Sequence, residues 1–193
     1  MKGYIAWVTG HPLWSAAVQF GLLGTAGEVL SLIVRRKPLA ALGGWWQGLL
    51  KVAAWAVLGV VIKYGFTGMK GFVDALISKS LLPPAAHGSV LWAFLVSVFT
   101  NVFFGPQMMF FHRLEDCLIA WKWDLAGLKK AWLTLLWFWI PAHTVTFSLP
   151  AEYQIGLAAL WSVALGLILG LTSANAARVL GDERRPGNSV THN

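Results

Sequence analysis

The sequence predicts an all-α fold, a polytopic transmembrane helix bundle of about five spans plus an interfacial amphipathic helix, and three observations carry that reading. Several apolar runs exceed what one globular core needs, in a chain of 193 residues that is 57% hydrophobic and 12% charged. Each of the main runs reaches across a ~30 Å hydrocarbon core at about 1.5 Å per residue. The cations also segregate. Five spans with the N-terminus outside put Arg35, Arg36, Lys37, Lys51, Arg113, Lys122, Lys129, Lys130, Arg178, Arg184 and Arg185 inside and leave Lys2, Lys63, Lys70 and Lys79 outside, in keeping with the positive-inside rule. Four spans weaken that asymmetry.

Composition also bounds the chemistry. The formal charge of +7 is spread over short loops and the C-terminal tail without a basic stripe, so nucleic acid is not an expected partner. Cys117 is the single cysteine, which excludes an intramolecular disulfide and a multi-cysteine metal site. The five histidines show no HExxH or His-x-x-x-His pairing, and no P-loop, Rossmann glycine pattern or GxSxG elbow occurs. No cofactor, metal or enzymatic activity is expected.

In order, Tyr4 to Pro12 reads as an interfacial lead-in, with Tyr4, Trp7 and Trp14 at headgroup level and no removable signal. The first span runs from about Leu13 to Val34, with Ala17, Gly21, Gly24, Glu28 and Ser31 on one face at 100° per residue. Small residues there let another helix approach, so Glu28 should point into the bundle. A carboxylate at such depth costs about 2.5–3.5 kcal/mol on insertion scales and is retained mostly where it pairs, coordinates or titrates. Its expected partners are His143, Asn101 or Lys63, and the alternative is an interfacial pair with Arg35 or Arg36.

A turn from Pro38 to Trp46 precedes the second span, about Gly48 to Phe66, where Lys51 snorkels toward the surface. Gly65, Gly68 and Gly71 loosen the chain, Gly71 to Leu82 either continues the helix or lies along the interface, and Pro83-Pro84 ends it. The third span, about Ser89 to Phe111, aligns Phe94, Ser97, Asn101, Gly105 and Met108, with His112 at its mouth and a kink at Pro106. Asn101 serves either as interhelical glue or as a solute ligand.

Leu114, Leu118, Trp121 and Leu125 share the apolar face of the predicted surface helix. The fourth span, about Leu128 to Leu149, contains the most unusual stretch, Trp137 to Pro150. Pro141 lacks an N–H and clashes with the preceding turn, so a kink is expected there, with His143 and Thr144 facing protein or water. Pro106 and Pro141 together should open a wet cavity on the polar faces of their spans. The fifth span, about Tyr153 to Ser173, carries Gly166 and Gly170 in GxxxG spacing. Residues 1–177 form one bundle domain, and 178–193 read as a disordered polar tail.

Tyr4, His11-Pro12, Gly21, Leu23, Gly27-Glu28 and Ser31 resemble without a gap the N-terminal motif of the Mpv-seventeen and twenty-two-kilodalton peroxisomal membrane protein family, where the Glu28 position is usually aspartate. Thr100 to Pro106 is similar to its Asp-Gln-x-x-x-x-Pro element with both polar residues substituted. Trp137 and Pro141 keep its Trp-x-x-x-Pro spacing, with Ile140 in place of a usual tryptophan. Phe147, Pro150 and Tyr153 resemble its Phe, Pro and Tyr run, although the prolines stand two residues closer and Gln154 replaces an arginine. The Gly-Pro, His and Trp-Tyr element is essentially lost around Gly59 to Asp74. The chain thus reads as a divergent, bacterial member, from Tyr4 to Ser173.

The resemblance implies a small helical membrane protein associated with pore-like passage of small solutes and metabolite homeostasis. The expected function is therefore a small-solute pore, with a non-conducting scaffold or lipid-binding protein as the alternative. Partners would be the lipid bilayer, small solutes and a second copy bound through small-residue faces. The expected location is a bacterial inner membrane, or an organelle inner or peroxisomal membrane, with the C-terminus cytoplasmic.

Overall fold

A computed structural model of the chain describes residues 2–86 and 88–183, and side chains as far as Thr172. Among the described residues every regular element is helical: α1 (Lys2–Gly10), α2 (Pro12–Val34), α3 (Trp45–Ser78), α4 (Val90–Phe99), α5 (Gly105–Ala120), α6 (Leu128–Thr134), α7 (Ile140–Phe147) and α8 (Ala151–Glu183), with short 3₁₀ turns at Leu39–Leu42 and Pro84–Ala86. Four helices are long and apolar enough to cross a membrane: Pro12–Val34, Trp45–Ser78, Val90–Ala120 and Ala151–Thr172. Residues 128–147 are also helical throughout, but as three short pieces. Helix α8 reaches Glu183, into the stretch read as tail, and residues 184–193 lie outside the described ones.

α2 is the central staff. It runs antiparallel to α3, matching Gly21 with Val52 and Glu28 with Lys51, and parallel to α8, matching Gly27 with Val163 and Ser31 with Gly170. A Cβ on Gly166 would stand 2.9 Å from the Gly27 carbonyl oxygen, and one on Gly170 would stand 3.3 Å from that of Ser31. Backbone approach of this kind needs small residues on both helices. Gly21 and Gly24 face α3 while Gly166 and Gly170 face α2, so these small-residue faces are taken up within one chain. The core beside this seam gathers Phe20, Phe66, Val73, Val96, Phe147 and Ile155.

Two expectations are corrected. The charged segment after His112 does not form a separate surface helix, because α4, the turn after it and α5 make one helix of 31 residues. Nothing between Gln107 and Ala120 breaks it, and it stops only where Trp121 takes a left-handed φ of 51°. The second span does not loosen at its glycines either. α3 continues for 34 residues, roughly 50 Å at the helical rise, and Gly65 makes room for the ring of Phe104.

Both interior prolines are met in the same way. Pro106 and Pro141 are each the second residue of an α-helix that follows five residues of π-helix, Thr100–Phe104 and Leu135–Trp139. A helical proline removes one hydrogen bond and collides with the carbonyl four residues back. Here those carbonyls belong to Val102 and Trp137, inside the widened turns, where Gly105 N–H bonds back to Thr100 O and Ile140 N–H to Leu135 O. At the end of the bundle where α2 begins, Tyr4 donates to Gln19 Oε1 at 2.9 Å and stacks on Tyr153. Burial, and then Tyr153, push its phenol above the ordinary value. Lys70 donates to Gln154 Oε1 at 2.9 Å and Trp92 Nε1 to Asp74 Oδ1 at 2.6 Å.

Candidate functional site

The polar interior divides into two connected parts. The first lies at the end of the bundle where α2 finishes and α3 begins. Lys51 and Trp55 are one turn apart on α3, and His112 and Asp116 are one turn apart on α5, so each pair turns two groups to the same side of its helix. Lys51 Nζ lies 2.6 Å from Glu28 Oε2 and 2.9 Å from Asp116 Oδ1, while Trp55 Nε1 donates to Glu28 Oε1 at 2.7 Å. The Trp55 ring also packs on His112, with centroids 4.5 Å apart.

This arrangement corrects the partners expected for Glu28. His143, Asn101 and Lys63 do not reach it, and Arg35 turns back to donate to the Ser31 carbonyl at 3.1 Å. The cause is Gly24: without a side chain there, the Trp55 indole settles against α2 and sets the register that brings Lys51 to the carboxylate. A single ammonium between two carboxylates leaves a net negative charge in a half-buried site. The Coulomb gain of each contact is therefore set against the cost of removing both partners from water.

The second part is a chamber of about 90 Å³ between α3, the α4–α5 helix, the α6–α7 helix and α8. Ser97 Oγ donates to the Ile140 carbonyl at 2.7 Å, and Asn101 Nδ2 donates to the Ser97 carbonyl at 2.8 Å and faces His143 Nδ1 at 3.2 Å. Since a carbonyl only accepts, the Asn101 amide must turn its NH₂ this way. His143 Nδ1 then accepts, with the ring proton on Nε2. The ring of His143 is flanked by Trp139, Phe66 and Phe147.

Of the residues singled out from the sequence, Asn101, His112 and His143 line this chamber together with Gly105. Glu28, Ser31, Gly24 and Gly166 line the cleft outside it, whose volume is about 390 Å³. Ser97 instead joins two helices, and Thr144 bonds back to its own helix at the Ile140 carbonyl. The expectation of a cavity walled by polar helix faces is also corrected. Most of the wall is carbon, supplied by Trp55, Phe66, Phe104, Met108 and Met109. The π-turns bring aromatic side chains inward with Asn101.

Four lining residues nevertheless hold a buried polar atom with no hydrogen-bond partner among the described residues: Thr100 Oγ1, Asn101 Oδ1, His112 Nδ1 and Trp139 Nε1. Each costs about 1–3 kcal/mol, and natural folds hold few of them. Sequence reading missed Lys51, Asp116 and Thr100 as site residues. The Lys51/Trp55 and His112/Asp116 spacings at i, i+4 were the available signal.

Chamber and cleft share a wall of Trp55, Met109, His112, Trp139 and Ser162. No family model, curated protein or solved structure matches the chain. Among the described residues no three His, Cys, Asp or Glu side chains gather as metal ligands would.

Proposed function

We propose that this is an integral membrane protein that forms a channel-like pathway for small solutes. The observation that carries the proposal is the shared wall: a solute in the cleft beside Glu28 and Lys51 is separated from the chamber by Trp55, Met109, His112, Trp139 and Ser162. The pathway has five spans, with residues 128–147 as the fourth, and its charged mouth faces the side that carries eleven of the fifteen cations. This is the cytoplasmic side if the N-terminus is outside, and a bacterial inner membrane is the setting the reading favours.

The Tyr4 to Ser31 motif supports a place for the chain among divergent members of the Mpv-seventeen and twenty-two-kilodalton peroxisomal membrane protein family, and with it a role in metabolite homeostasis. Flux of small solutes into proteoliposomes holding the purified chain tests the conducting reading. Flux above that of protein-free vesicles, altered by Glu28→Gln, is the expected result. Folded protein with no flux above the vesicle background overturns it in favour of a non-conducting scaffold.

A further inference from the structure

We infer that the inner chamber is a dry binding site for small apolar molecules, the class of short hydrocarbons, their halogenated relatives and xenon. The site rests on the chamber alone and stands whether or not solutes cross the protein.

Surface chemistry decides the class. Among the described residues no aspartate, glutamate, lysine or arginine lines the chamber. Thr100 Oγ1, Asn101 Oδ1, His112 Nδ1 and Trp139 Nε1 are sealed inside the wall with almost no accessible surface. A guest therefore meets Phe20, Leu58, Ile62, Phe66, Met108 and Met109, and almost nothing to which it could hydrogen-bond. Buried water persists where it finds roughly two to four polar partners, whereas an apolar void without them stays dry and takes benzene or xenon.

The void is also held open. Gly24, Gly65 and Gly105 lack the Cβ atoms that would collide with Trp55, Phe104 and Leu135, so three large wall side chains are seated against neighbouring backbone. Edge contacts with Phe147 and His143 hold a fourth, Phe66. A space that cannot collapse gains dispersion contacts when it is filled, without the work of opening a hole that lipid or detergent demands of the same molecule. That difference, rather than exclusion from water, draws an apolar guest inward. Size sets the limit: an engineered cavity of ~150 Å³ takes the six carbons of benzene, so this chamber, at about 90 Å³, takes roughly four.

Xenon under pressure is the probe, and methionine methyl groups are the reporters. Met108 and Met109 line the chamber, while Met69 lies on α3 outside it. With the purified full-length chain in detergent micelles and its methionine methyls isotope-labelled for NMR, rising xenon pressure should shift the Met108 and Met109 signals along a saturating curve. Met69 should show only the linear drift of a methyl group in xenon-laden detergent. Parallel linear drift at all three, or no shift at all, overturns the site. Ala158, buried on the α8 wall, provides the filling variant: Ala158→Leu should abolish the saturable shift, and a folded variant that keeps it overturns the site. Leu135→Ala works in the opposite direction, enlarging the chamber so that benzene shifts the same two methyls. Benzene acting equally on the unaltered chain and on Leu135→Ala overturns the size assignment. Saturable xenon binding without solute flux upholds the site and overturns the conducting reading alone; flux without saturable xenon binding does the reverse.

Discussion

Trp55 occupies the space that a side chain on residue 24 would need: a Cβ built on Gly24 runs into the indole ring. The same ring donates to Glu28 and packs on His112, so one glycine on α2 sets the position of a residue shared by cleft and chamber. Gly24→Ala should cost about 1–3 kcal/mol as overpacking, read as a lower melting temperature in detergent. Gly68→Ala, within α3 and with open space around it, should be neutral or slightly stabilising through helix propensity. Equal effects of the two would remove the argument.

Lys51 is paired with two carboxylates on two other helices, so its loss should exceed the loss of either partner. Lys51→Met leaves Glu28 and Asp116 facing one another, and partial exposure of all three groups places the cost at about 1–3 kcal/mol, below that of a fully buried pair. Glu28→Gln keeps an acceptor for Trp55 and should cost less. A double-mutant cycle on positions 28 and 51, measured by denaturant unfolding, should give a coupling of at least about 0.5 kcal/mol; zero coupling would mean that solvent screens the pair.

Thr100 and Asn101 are neighbours with opposite expectations. Thr100→Val removes an unpartnered buried hydroxyl while keeping the side-chain shape, and should stabilise by about 1 kcal/mol. Asn101→Leu deletes a donor engaged by Ser97 and His143 and should destabilise by about 2 kcal/mol. Thermal unfolding of the two variants in one detergent decides. A destabilised Thr100→Val would mean that its hydroxyl has a partner after all.

Topology is open to labelling. Cys117 is the single cysteine and is buried, so cysteines introduced at Lys37, Lys79 and Glu152 in a Cys117→Ala background report position cleanly. In intact membranes the Lys37 position should react from the side opposite to the other two. Matching reactivity at the Lys37 and Glu152 positions would sink the five-span reading.

The helical class and the ends of most helices were legible in the chain itself, because local rules write them. Pro12 opens α2, the Arg35-Arg36-Lys37-Pro38 cluster closes it, and Pro83-Pro84 follows α3 within a few residues. Glu28 could be placed on an inward face because helical period and small neighbours are properties of one helix. What met Glu28 was decided between helices. The Gly24 groove admits Trp55, this fixes the stagger of α3 on α2, and the stagger selects Lys51 over Lys63, twelve residues further along the same helix. The π-turns before Pro106 and Pro141 belong to the tertiary structure in the same sense. A proline announces that a helix must deform, but the packing around Asn101 and Trp139 determines that it widens, and the widening forms the chamber.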